Sequence, residues 1–268
     1  MSNGRLSGKV AVVTGAGRGL GRAMALGLAA AGARVVATSR TAGEIEAVAR
    51  EADVSGTIMP LAADVTSEGD CHRVVESVLD RFGSLHVLVN NAGLGMRTVS
   101  AAFLTEPTRF WETGPEAWRA LVDTNVNGPF LMAREAVPHM LAAGWGRVVN
   151  VSMNYETMRR RGFSPYGPSK AALESETIIW AQDLTGSGVT VNALLPGGAS
   201  RTGMILEGLP EELKAGLLDP AIMVPPLLWL ASEASDGVTG KRINASLWRS
   251  ELREAAAAIL AAQAAGVG

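Results

Sequence analysis

The sequence predicts an α/β chain: one domain built on a doubly wound, mostly parallel sheet with helices on both faces. Three observations carry that prediction. Short runs rich in valine and leucine alternate with longer helical patterns through most of the 268 residues. Those runs are near-continuously apolar, as strands buried on both faces must be. Finally, a glycine-rich turn falls directly between the first strand and the first helix, in "TGAGRGLG" (14–21), where such sheets bind ligands.

Each element follows in order. "KVAVVTG" (9–15) reads as a strand, and "GLGRAMALGLAAAG" as an Ala/Leu-rich helix. "ARVVATS" (33–39) is the second strand, followed by the helix "GEIEAVAREA"; "TIMPLAADV" (57–65) is the third, followed by the helix "CHRVVESVLDRFG". "LHVLVNNAG" (85–93), "GRVVNVS" (146–152) and "VTVNALLPG" (189–197) supply three more strands. A long helical stretch covers 116–143, where Pro138 predicts a kink, and 166–185 is another helix. Residues 94–115, 154–165 and 198–223 do not fit simple strand–helix units and are expected to wall a substrate pocket; 198–223 has the composition of a mobile lid. The tail "LREAAAAILAAQAAG" reads as an Ala-rich helix, either a subunit contact or frayed.

The composition narrows the function classes. Apolar residues make up 47% and charged residues 19%, and the net charge is −2, so there is no electrostatic case for nucleic acid or an anionic membrane as partner. No composition break or internal repeat divides the chain. Cys71 is the single cysteine, which forbids an intrachain disulfide and suits a reducing compartment. The first residues lack the apolar core of a secretory signal, and no apolar run nears the ~18 residues that span a bilayer. The chain reads as cytoplasmic. His72, His86 and His139 are scattered without metal-type neighbours, so no metal is expected.

The glycine turn offers bare backbone N–H groups and the positive end of a helix to a phosphate, with Gly15, Arg18, Gly19 and Leu20 lining it. Dinucleotide sites commonly carry a carboxylate for the ribose 2′-hydroxyl at the end of the second strand. Here that position is Ser39-Arg40. Arg40 and Arg18 therefore suit a 2′-phosphate, which arginine matches through a forked pair of hydrogen bonds; the plainer alternative is two solvated surface arginines.

Only one of the two tyrosines, Tyr166, has a lysine four residues on, Lys170, and on a helix the two share a face. An ammonium favours the phenolate, so the pair is a plausible acid/base device. Tyr155 has Arg159 at that spacing and is discounted.

Together "TGAGRGLG", "NNAG" (90–93), Asn125 in "DTNVNGPF", "YGPSK" (166–170) and "PG" (196–197) resemble the short-chain dehydrogenases/reductases in their compact single-domain, Rossmann-type form. The resemblance covers residues 7–197 well and the remainder loosely. It implies hydride transfer between a nicotinamide cofactor and a small-molecule carbonyl or secondary alcohol; Arg40 and Arg18 make NADP(H) the expected cofactor, with NAD(H) the lesser choice. Tyr166 would be the acid/base, Lys170 would hold the nicotinamide ribose, and Asn125 would anchor a relay water. Asp64 and Val65 would contact adenine, and Asn91, Ala92 and Gly93 would line the adenosine side. Pro196, Gly197 and Thr202 would meet the nicotinamide, although "PGGASRTGM" is a residue longer than the usual turn. A homo-oligomer, tetramer or dimer, is also implied.

The family's polarising serine is where the chain departs. Ser152 precedes Tyr166 by 14 positions, one more than usual, and Met153 occupies the usual place. Either the loop 154–165 carries an insertion and Ser152 supplies the hydroxyl, or methionine has replaced the serine; methionine cannot donate to a developing oxyanion. The first reading is preferred. A second class of function follows from the other: a cofactor-binding redox sensor or scaffold whose catalysis has decayed. Arg159–Arg161 reads either as a solvated run or as an anchor for an anionic substrate.

Overall fold

The computed structural model describes residues 5–52, 57–202, 216–249 and 262–263. Its sheet has the order β3-β2-β1-β4-β5-β6-β7-β8. The strands are β1 (Val10–Thr14), β2 (Arg34–Ser39), β3 (Ile58–Ala62), β4 (Val87–Asn90), β5 (Gly146–Val151), β6 (Val189–Leu195), β7 (Arg242–Asn244) and β8 (Ala262–Gln263). β1 to β7 pair in parallel, and β8 adds antiparallel to β7. The six predicted strands are all present. β7 and β8 were missed, and the two described residues of the Ala-rich tail form a strand pair rather than a helix. The rest of that tail, and 203–215 of the predicted lid, lie outside the described residues.

Alternation along each strand builds two cores. In β1, Ala11 and Val13 face one side, with Met24 and Leu28 of α1 (Gly19–Ala30), Ile45 and Val48 of α2 (Ala42–Glu51). Val10 and Val12 face the other, with Val74 and Val78 of α3 (Glu68–Phe82), and Met132 and Met140 of α5 (Gly128–Ala143). The helix ends are set locally. Ser67 caps α3 by accepting from the Asp70 amide at 3.3 Å, Glu68 and Asp70 sit at its positive end, and Gly83 closes it at φ +73.

The long helical stretch is interrupted ahead of Pro138. α4 (Pro115–Val122) runs into one π turn, Asp123–Asn127, and then into α5, which continues through Pro138. The irregular turn falls at Asn125. Insertions of this kind widen a helix by one residue and often mark functional sites.

The strand order reverses between β1 and β4, which opens a crevice at their carboxyl ends. Thr14-Gly15 ends β1 there, and Asn90 to Gly93 follow from β4.

Candidate active site

The floor of the crevice is a hydrogen-bonded clamp. The Thr14 hydroxyl accepts from the amides of Asn91 and Ala92, each at 3.0 Å, and the Asn91 side chain donates to the carbonyls of Thr14 (2.9 Å) and Gly15 (3.1 Å). The "NNAG" segment is thereby pinned against the glycine turn. Close packing forces the glycines: a Cβ on Gly15 would lie 2.7 Å from Ala92 Cα, and one on Gly21 would lie 2.1 Å from the Gly15 carbonyl. Gly15 and Gly19 also have φ of +63 and +55, which only glycine adopts readily. α1 begins at Gly19 with no side-chain cap and no acidic residue in its first turn. Its first amides are open to an anion. These features fit a dinucleotide pyrophosphate. Leu20 packs against the core, and Thr202 stands beside Gly19, 2.9 Å from where a Cβ would be.

Beside the glycine turn and the end of β2, both arginines already have carboxylate neighbours. Arg40 lies 4.0 Å from Asp64, and Arg18 lies 3.9 Å from Glu44. The guanidinium side chains are 63% and 73% exposed, so these are loose pairs worth ~0–1 kcal/mol that a phosphate can displace. Glu44 was not anticipated: it sits in the first turn of α2, hard against Gly17. Asp64 accepts from the amide and hydroxyl of Thr66, and Val65 packs under Gly128.

The end of the crevice that holds Tyr166 and Lys170 is built from α7 (Tyr166–Asp183), which follows the one-turn α6 (Tyr155–Met158), and from the π turn. Tyr166 and Lys170 lie one turn apart on α7. Asn125, fully buried, clasps the Leu94 peptide from both sides and donates to Ser169 Oγ at 3.0 Å; Ser169 in turn donates to the Tyr166 carbonyl at 2.7 Å. A Cβ on Gly93 would come 3.2 Å from Asn125 Oδ1 and 3.7 Å from Lys170 Nζ, so Gly93 separates the two by the width of a backbone. Lys170 Nζ donates to the Val151 carbonyl at 2.8 Å. Burial pushes the half-buried Tyr166 phenol up to about 12 and pulls the Lys170 ammonium down to about 8, with the Glu174 carboxylate opposing the latter. The phenol therefore keeps its proton at neutral pH, while the lysine is mostly charged.

Ser152 has a partner that its sequence neighbourhood does not signal. Its hydroxyl donates to Glu174 Oε1, on the far side of Lys170 from Tyr166 along α7. Met153 lies instead in a small apolar cluster with Met96, Met158 and Phe163, against which Tyr155, Tyr166, Val99 and Phe103 pack. A hydroxyl donates once, and that donor is already committed. In this structure the Ser152 hydroxyl is therefore engaged by Glu174. Of the aromatic residues of 94–115, one joins the Met153 cluster. Phe103 reaches Phe163 (ring centroids 6.0 Å apart), but Phe110 and Trp111 are 69% and 65% exposed and pack on each other. Asn154 donates to the Gly197 carbonyl at 3.4 Å, linking the β5 and β6 ends, where Gly197 takes φ +89 and follows Pro196. Sequence reading missed Thr14, Ser169, Glu174 and Arg242. Thr14 and Ser169 stood inside quoted motifs without an assigned bond. Arg242, 72 positions beyond Lys170, gave no local signal.

The family model for short chain dehydrogenases matches residues 9–211. The chain belongs to that family. It is therefore an oxidoreductase of the NAD(P)-dependent short-chain type, working on a CH–OH/C=O pair. A 3-oxoacyl-[acyl-carrier-protein] reductase of Thermotoga maritima is 32% identical over 250 residues, covering 90% of this chain and 97% of that protein. A fluoren-9-ol dehydrogenase of a Terrabacter species is 31% identical, covering 91% and 72%. Among solved structures, a 3-ketoacyl-(acyl-carrier-protein) reductase from Brucella melitensis complexed with NADH superposes with a TM-score of 0.78 at 31% identity, covering 88% of this chain and 95% of that one. A metagenomic short-chain oxidoreductase in complex with NADP gives 0.72 at 31% identity, with the same coverages. Among the described residues no group of histidine, cysteine and carboxylate side chains is arranged to hold a metal, and no helix is long and apolar enough to cross a membrane.

Proposed function

We propose that this short-chain dehydrogenase uses NADP(H) to interconvert a small-molecule ketone and secondary alcohol, with Tyr166 as the acid/base group. The observation that carries this is the Tyr166–Lys170 turn of α7, tied through Ser169 to Asn125. When bound, the reduced nicotinamide supplies hydride to the carbonyl carbon. Tyr166 gives its proton to the carbonyl oxygen, and Lys170 stabilises the phenolate left behind. Asn125 holds the π turn and the Leu94 peptide in place, which fixes the wall between lysine and crevice. In the reverse direction Tyr166 accepts the alcohol proton. Gly15, Gly19 and Leu20 present backbone to the pyrophosphate. Asp64, Val65 and the segment Asn91-Ala92-Gly93 bound the adenosine side, and Pro196, Gly197 and Thr202 the nicotinamide side. Arg40, helped by Arg18, selects the 2′-phosphate.

The assembly we infer is a homo-oligomer in the cytoplasm, a tetramer or dimer. Phe130 and Leu141 on α5 and Ile179 on α7 are large, apolar and exposed, and one carboxylate oxygen of Glu176, also on α7, is buried without a partner. Exposed apolar side chains such as these three are what a second copy would cover. The test of the function is direct: purified protein should oxidise NADPH with a member of a broad ketone panel. Tight NADPH binding without turnover on any carbonyl or alcohol would favour a redox sensor instead.

A further inference from the structure

Three consecutive residues at the end of β5 are each gripped by a buried charged side chain. The Val151 carbonyl accepts from Lys170, the Ser152 hydroxyl donates to Glu174 Oε1, and the Met153 carbonyl accepts from Arg242 Nη2. Arg242 Nε donates to the same Glu174 oxygen at 2.9 Å, and its guanidinium lies 3.9 Å over the Tyr155 ring. Glu174 is 9% exposed and Arg242 2%. Tyr166, Lys170 and Glu174 recur every four residues, so one face of α7 presents phenol, ammonium and carboxylate in a row.

A buried ion pair is weak evidence of stabilisation, because desolvation offsets most of its attraction. What the pair holds is more informative. The serine has one proton to donate, and Glu174 has it. The thioether of Met153, in the position the family gives to serine, has none.

We propose that Glu174 and Arg242 are positioning residues that turn the Ser152 hydroxyl into the core and Met153 onto the substrate wall, leaving Tyr166 as the hydroxyl that meets the substrate oxygen. This rests on the function proposed above. It makes the site a variant of the family's, in which polarisation and protonation of the carbonyl fall on one phenol. It also makes the surface beside the carbonyl soft and apolar, suited to an alkyl or aryl substituent.

The test compares Ser152→Ala, Met153→Ser and Glu174→Gln with the parent, using NADPH and whichever panel ketone the parent reduces, with Tyr166→Phe as the check on the underlying reading. Ser152→Ala should change kcat by less than about threefold, against the ~10²–10³ that loss of one oxyanion donor costs. Met153→Ser should raise kcat with the KM for NADPH unchanged. A loss of ~10²–10³ in kcat for Ser152→Ala, with cofactor KM unchanged, would overturn this proposal while leaving the role of Tyr166 intact. An arm independent of turnover is a double-mutant cycle in urea unfolding with Ser152→Ala and Glu174→Gln. Non-additive midpoint shifts are expected of two bonded residues, and additive shifts would overturn the proposal whether or not a substrate is found.

Discussion

Asn125 binds the Leu94 peptide through both of its side-chain atoms: Oδ1 accepts from the Leu94 amide at 2.8 Å, and Nδ2 donates to the Leu94 carbonyl at 2.9 Å. One side chain thus satisfies a backbone unit just beyond β4 that no strand or helix reaches. The helix opens into a π turn where Asn125 sits.

Replacing Asn125 by alanine strands both Leu94 groups and removes a donor from Ser169. Each buried polar group left unpaired costs ~1–3 kcal/mol. Asn125→Ala should therefore lower the thermal midpoint by several degrees and reduce turnover, measured by scanning calorimetry and NADPH oxidation. An unchanged midpoint would contradict the clamp.

Lys170 sets a pH limit. Its burial lowers the ammonium to about 8, while the Tyr166 phenol stays protonated to about 12. The lysine is charged below pH 8 and neutral above it. Losing that charge makes the phenolate harder to form, so Tyr166 becomes a poorer acid. Carbonyl reduction should decline as pH rises through about 8, read as kcat against pH with saturating NADPH; a flat profile from 7 to 9.5 would count against it.

Gly21 tests the glycine turn. Its Cβ would meet the Gly15 carbonyl at 2.1 Å and the Asn91 side chain at 2.4 Å, two groups that form the cofactor floor. Gly21→Ala should weaken NADPH binding by at least about tenfold, equivalent to ~1.4 kcal/mol, by fluorescence titration. Unaltered binding would mean the floor can shift.

The proposed role of Arg40 in cofactor choice is testable separately. NADPH should bind better than NADH to the parent, and Arg40→Asp should reverse the order by repelling the 2′-phosphate. Glu44, close to Arg18, works against the phosphate, so Glu44→Gln should sharpen the NADPH preference. Equal affinities for both cofactors in the parent would refute the arginine reading.

The fold was legible because its strands are apolar throughout and its turns carry glycine; six strands and the switch-point crevice follow from that pattern alone. β7 was not, since Arg242-Ile243-Asn244 is three residues long and begins with a charge whose partners, Glu174 and the Met153 carbonyl, are far away in sequence. The π turn at Asn125 was not legible either: its bonds to Leu94 join residues 31 positions apart. At the site, Tyr166 and Lys170 were legible because helical spacing brings them together. The bond from Ser152 to Glu174 was not, because its partner lies 22 positions along the chain.

The measurement closest to the central claim is the turnover of Tyr166→Phe beside its affinity for NADPH. The phenylalanine keeps the ring against the Met153 cluster and removes only the proton donor. The account predicts NADPH binding within about twofold of the parent and a loss of ~10²–10⁴ in kcat, the range a general acid supplies. Full turnover in the phenylalanine variant would contradict it.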